Sequence, residues 1–247
     1  QQRSAGLYKQ VHVIELHNER ATRLEILNTV GQLGLRVRPQ DTLVMYVAAH
    51  GLTAGQRFYL LPRDFRLPAG SSEPASAEQE EMVEGVLVRG QAEDQRMALV
   101  RRQGLAIDQL AEQLGRVPAL KRVLIFDTCQ SGGAAQLASG KSNPLGVRNT
   151  SVQGVYVLAA TSTSELAAES RELQHSLLTY SLLQAAAKPA STESRIDVLE
   201  WFRNTAMLTP ELYQRYVGRE QQVEILAVEP GFPLLNSLSS PASDSPE

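Results

Sequence analysis

Val123-Leu124-Ile125-Phe126-Asp127-Thr128-Cys129-Gln130-Ser131-Gly132-Gly133 is the stretch that decides the fold class. A short unbroken apolar run bounded by polar residues reads as a strand buried on both faces, the kind that fills parallel sheets. The run ends in small residues, and its end carries Cys129, the sole cysteine of 247 residues. A second strand, Thr42-Leu43-Val44-Met45-Tyr46-Val47-Ala48-Ala49, runs out in the same way into His50-Gly51. In open α/β sheets the functional crevice lies outside the carboxyl ends of the strands, so imidazole and thiol are expected side by side.

Outward from these two stretches, strands and helices alternate. Residues 11–16 alternate apolar and polar and are expected to form a short strand. Thr22 and Glu25 have capping-box spacing and open a helix carrying Leu24, Leu27, Val30 and Leu33, with Gly34 near its end. Residues 57–61 form a strand closed by Pro62. Residues 68–104, with Ser71, Ser72, Pro74 and an acidic cluster at Glu78, Glu80, Glu81 and Glu84, lack a steady apolar period and are read as a surface insertion, partly helical. A helix over Ile107, Leu110, Ala111 and Leu114 feeds the Cys129 strand. Residues 138–153 are a polar linker, residues 154–160 the next buried strand, and residues 176–187 a helix. Asp197 and Glu200 cap another helix, residues 223–228 make a late strand, and residues 237–247 are a polar flexible tail. The expectation is one domain over residues 1–236, a three-layer α/β fold with a mostly parallel sheet flanked by helices.

A net charge of −3 with scattered basic residues argues against nucleic acid as the partner, and no apolar run approaches the roughly 20 residues that span a bilayer, so no membrane partner is expected. One cysteine forms no internal disulfide, which suits a reducing compartment, and a cytoplasmic location is expected. His12, His17 and His175 have no metal-ligand spacing with one another or with Cys129, and no phosphate-binding or calcium-loop pattern is present, so neither metal nor cofactor is expected.

A cysteine attacks carbonyl carbon as thiolate, and a neighbouring imidazole takes and returns the proton. Cys129 is therefore the candidate nucleophile and His50 the candidate general acid and base. The peptide N–H groups of Gly51 and Cys129 are the candidate oxyanion donors.

These residues carry a resemblance. His50-Gly51 after one strand and Asp127-Thr128-Cys129-Gln130-Ser131-Gly132 after another resemble the caspase-like clan of cysteine peptidases, metacaspases and bacterial caspase-family proteins most of all. Residues 58–64, 158–162 and 175–183 extend the resemblance over much of the chain. It implies a Cys129–His50 dyad and a protein or peptide substrate. It also implies that Asp127, two residues before the cysteine, lines the substrate pocket and selects arginine or lysine by a charge-assisted contact. Glu165 is a candidate second acid of that pocket. If basic residues are selected, Arg101, Arg102, Lys141 and Arg148 are candidate self-processing sites. Ala48 stands where metacaspases often carry serine, and the dyad residues lie 79 positions apart against about 50 in caspases, which the insertion explains. Members of the clan usually begin with a strand and helix ahead of the strand at residues 11–16; the expectation is that these are missing here. The alternative function is a non-catalytic caspase-like module for regulation or assembly, with further domains in a longer parent protein.

Overall fold

The computed structural model describes residues 4, 6–66, 85–128, 154–161, 169–170, 173, 175–187, 194–218, 221–227 and 230–237. A six-stranded sheet forms its middle. The strands are β1 (Thr42–Ala54), β2 (Arg57–Leu61), β3 (Leu105–Ala106), β4 (Lys121–Thr128), β5 (Val155–Thr161) and β9 (Gln222–Ala227), in the spatial order β3-β2-β1-β4-β5-β9. The central trio β1, β4 and β5 is parallel; β2 pairs antiparallel with β1, β3 antiparallel with β2, and β9 antiparallel with β5. Four minor strands, β6 (Glu169–Ser170), β7 (His175–Ser176), β8 (Arg195–Asp197) and β10 (Pro233–Asn236), pair as β6 with β7 and β8 with β10.

The helices are α1 (Arg23–Arg36), α2 (Gly85–Gln103), α3 (Ile107–Gly115), α4 (Leu177–Ala187) and α5 (Val198–Val217). Helix α1 begins where its capping signal lies: the Thr22 hydroxyl accepts the Glu25 N–H at 3.2 Å, satisfying a donor that the first turn leaves unpaired. It runs past Gly34 to Arg36 and ends when Val37 turns extended. Helix α5 is capped by Asp197, whose carboxylate accepts from Leu199 N at 2.8 Å, and it ends on Gly218 at φ +72°, a left-handed conformation that glycine adopts without a Cβ clash. Helix α2 occupies the second half of the stretch expected to be an insertion, and Val100 near its end packs with Ala54, Tyr59 and Ala106.

Alternation along the strands sorts the core into two layers. Leu124 and Phe126 of β4 face α1 and α3, meeting Val30, Leu110 and Leu114. Val123 and Ile125 face the other way, toward Leu178 and Leu182 of α4 and Val198 and Phe202 of α5. Both faces of β4 are therefore covered, which is why its sequence is a continuous apolar run. The indole N–H of Trp201 donates to the Leu182 carbonyl at 2.9 Å and ties α5 to α4.

Residues 11–16 do not form the expected strand and carry no regular secondary structure. Alternation prepares a segment for a sheet, but a strand exists only with a ladder partner, and none of the described ladders includes this segment. His12, Ile14 and Leu16 instead line a groove of about 1380 Å³ to which Leu43 to His50 contribute every residue in succession, beside residues of α1, α3 and β2. Successive residues on one wall mean that the groove meets the edge of β1 rather than a face. In the described ladders residues 42–49 pair with β4 and residues 50–54 with β2, so the first half of β1 opens its other edge on the groove.

Candidate active site

The strand that carries His50 does not stop there. It continues through His50 and Gly51 to Ala54, and its partner changes: Ala49 is the last residue in register with β4, opposite Thr128, and His50 the first in register with β2, opposite Leu61. His50 thus sits at the point where β1 leaves β4 and is exposed at the groove. Gly51 is buried opposite Leu60. Cys129 and Glu165 lie outside the described residues, as do Lys141, Arg148, the 138–153 linker, the first part of the 68–104 insertion and most of the tail. Arg101 and Arg102 occupy the last turn of α2, where the backbone is helical rather than a surface loop.

Asp127 is opposite Ala48 in the parallel register, and it is only 5% exposed although it reaches the groove. A buried carboxylate is costly unless hydrogen-bonded. Here three hydroxyls converge on its Oδ2: Tyr46 donates at 3.0 Å, Thr179 at 2.5 Å, and Ser176 donates as well. Tyr46 Oη and Thr179 Oγ1 are themselves 2.5 Å apart. Ser176 precedes the first residue of α4 and accepts the Thr179 N–H at 3.0 Å, so it caps the helix with its lone pair while its proton goes to Asp127. The helix N-terminus adds a favourable dipole to the same carboxylate. Burial, and then the Asp127 charge, push the Tyr46 phenol above its ordinary range, so it remains a proton donor.

Tyr46, Ser176 and Thr179 were not among the residues expected at the site. Strand alternation carried part of the signal, since Tyr46, Ala48 and His50 fall on one face of β1. Nothing local joins Tyr46 to Thr179, 133 positions away. His175, expected to be structural or at the surface, is exposed and also lines the groove. Among the described residues no group of three or more His, Cys, Asp or Glu side chains converges as metal ligands would, and no helix is long and apolar enough to cross a membrane.

A three-layer α/β domain with a histidine where β1 parts from β4 and a carboxylate near the carboxyl end of β4 is the framework of a caspase-like domain. Comparison with known families agrees: the caspase domain model of the C14 cysteine peptidases matches residues 8–223, and the chain belongs to that family. A search of curated proteins finds no match.

Proposed function

We propose that this chain is a cysteine endopeptidase in which Cys129 is the nucleophile and His50 the general acid and base, cleaving after arginine or lysine. The observation that carries the reading is the β1–β4 register. Its last pair is Ala49 with Thr128, and the next residue on each chain is His50 and Cys129. The reading carries that register one residue further, where side chains at His50 and Cys129 fall on the same face of the parallel pair, as the dyad requires.

In this mechanism His50 takes the thiol proton and the Cys129 sulfur attacks the peptide carbonyl carbon. The resulting oxyanion accepts from the N–H groups of Gly51 and Cys129. His50 returns the proton to the departing amine, leaving a thioester, and then draws a proton from the water that hydrolyses it. Asp127 supplies the negative charge that holds the basic side chain on the acyl side of the cleaved bond. Purified protein is expected to cleave arginine or lysine reporter peptides, with Cys129→Ala and His50→Ala abolishing turnover. Absence of cleavage, or equal residual cleavage in wild type and Cys129→Ala, refutes the reading; cleavage after aspartate removes only the role of Asp127.

The edge of β1 that none of the described ladders occupies favours a second reading, a caspase-like assembly module, because such a strand edge is a template for another chain. A thiol-reactive probe separates the two: selective labelling of Cys129 with a depressed pKa goes with the peptidase, an inert thiol with the module.

A further inference from the structure

We propose that Tyr46, Ser176 and Thr179 are positioning residues that commit one oxygen of Asp127 to the protein and so leave a single carboxylate oxygen for the substrate, making the pocket one that suits lysine at least as well as arginine. The inference rests on the peptidase reading above.

All three hydroxyls lie within hydrogen-bond reach of Oδ2, and because Tyr46 Oη and Thr179 Oγ1 are also 2.5 Å apart, Ser176 and that coupled pair together occupy this oxygen. Among the described residues none donates to Oδ1, and Asp127 lines the groove, so on this proposal Oδ1 is the oxygen left for a substrate. Arginine gains its usual advantage over lysine from a planar fork that engages both oxygens of a carboxylate at once. With Oδ2 already crowded by donors, that fork has one oxygen to use, whereas a lysine ammonium is a point charge that needs only one. The donors come from two directions. Ser176 and Thr179 belong to the start of α4 and are half-buried, while Tyr46 reaches over from β1, the strand of His50, and is 46% exposed. Tyr46 is therefore the most exposed of the three donors, the one whose removal opens Oδ2 from the solvent side. Ala48, directly beside Asp127 in the register, adds no hydrogen-bonding group of its own to replace the fork's second contact.

The test measures kcat/KM for two peptides that differ only in arginine or lysine on the acyl side of the scissile bond, in wild type, Tyr46→Phe, Thr179→Val, Thr179→Ser and the double variant Tyr46→Phe/Thr179→Val. Wild type is expected to cleave the lysine peptide at least as well as the arginine peptide. Removing the phenol hydroxyl opens Oδ2, and the arginine-to-lysine ratio is expected to rise about tenfold, the worth of one charge-assisted hydrogen bond. The double variant raises it further, and Thr179→Ser, which keeps the hydroxyl, stays at the wild-type ratio. A merely structural role lowers both substrates together and leaves the ratio unmoved. A wild type that prefers arginine tenfold, or a ratio constant across the variants while both peptides are cleaved, overturns the inference with the peptidase reading intact. If wild type cleaves neither peptide, the peptidase reading itself fails and this inference falls with it. Should Tyr46→Phe fail to fold, the contrast between Thr179→Val and Thr179→Ser decides the matter.

Discussion

Replacing Asp127 by alanine and by asparagine separates its two roles. Alanine removes the acceptor for three hydroxyls at a position only 5% exposed. Each hydrogen bond to a charged group is worth about 1.5–3 kcal/mol, but the full sum is not lost. Tyr46 and Thr179 can still bond each other, Ser176 still accepts from the Thr179 N–H, and the cost of burying a charge disappears with the charge. The expected loss is about 3 kcal/mol, which lowers Tm by roughly 6–12 °C in a chain of this size. Asparagine keeps an oxygen for the three donors and turns its amide N–H₂ toward the groove. Neutral acceptors are about half as strong as charged ones, so Asp127→Asn is expected to lose only about 1–1.5 kcal/mol. Its cleavage of basic reporters, deprived of the counter-charge, is expected to fall about 100-fold. Thermal unfolding followed by circular dichroism reads the first effect and kcat/KM on an arginine or lysine peptide the second. An alanine variant within about 0.5 kcal/mol of wild type refutes the account of Asp127 as the acceptor that joins β1, β4 and α4. An asparagine variant that cleaves basic reporters as wild type does refutes its role in selection.

Tyr46 gives a pH dependence. Its folded-state pKa is raised above the ordinary phenol value of 10.0, so its contribution to stability is complete below that pH and is lost as pH rises from there; urea unfolding between pH 8 and 11 should show a decline that Tyr46→Phe flattens, and an identical decline in both proteins is evidence against it. Phe202, fully buried between α5 and the sheet, is expected to cost about 3–5 kcal/mol as alanine, measured as a shift in denaturation midpoint; a change below about 1 kcal/mol contradicts that packing. Thr22→Ala removes the cap on the Glu25 N–H and should cost about 1 kcal/mol, with Thr22→Ser close to wild type in the same measurement.

Local signals recovered a good part of this molecule because the forces behind them are local. The Thr22 cap needs only a hydroxyl three residues ahead of an N–H, and the run at residues 123–126 is apolar on both faces because helices cover both. The same reasoning failed where a partner was required. Residues 11–16 alternate correctly yet pair in none of the described ladders, and β1 passes through His50 because β2 takes over the ladder there, a fact of the hairpin and not of the His-Gly dipeptide. What the amino-acid sequence determined by itself was the α/β layering and the candidate chemistry of His50 and Cys129, since periodicity and side-chain type carry both. Only the tertiary structure decided how Asp127 is held. Its three hydroxyl partners come from a strand 81 positions before it and a helix start about fifty positions after it, and a buried charge takes whatever donors the fold brings within reach.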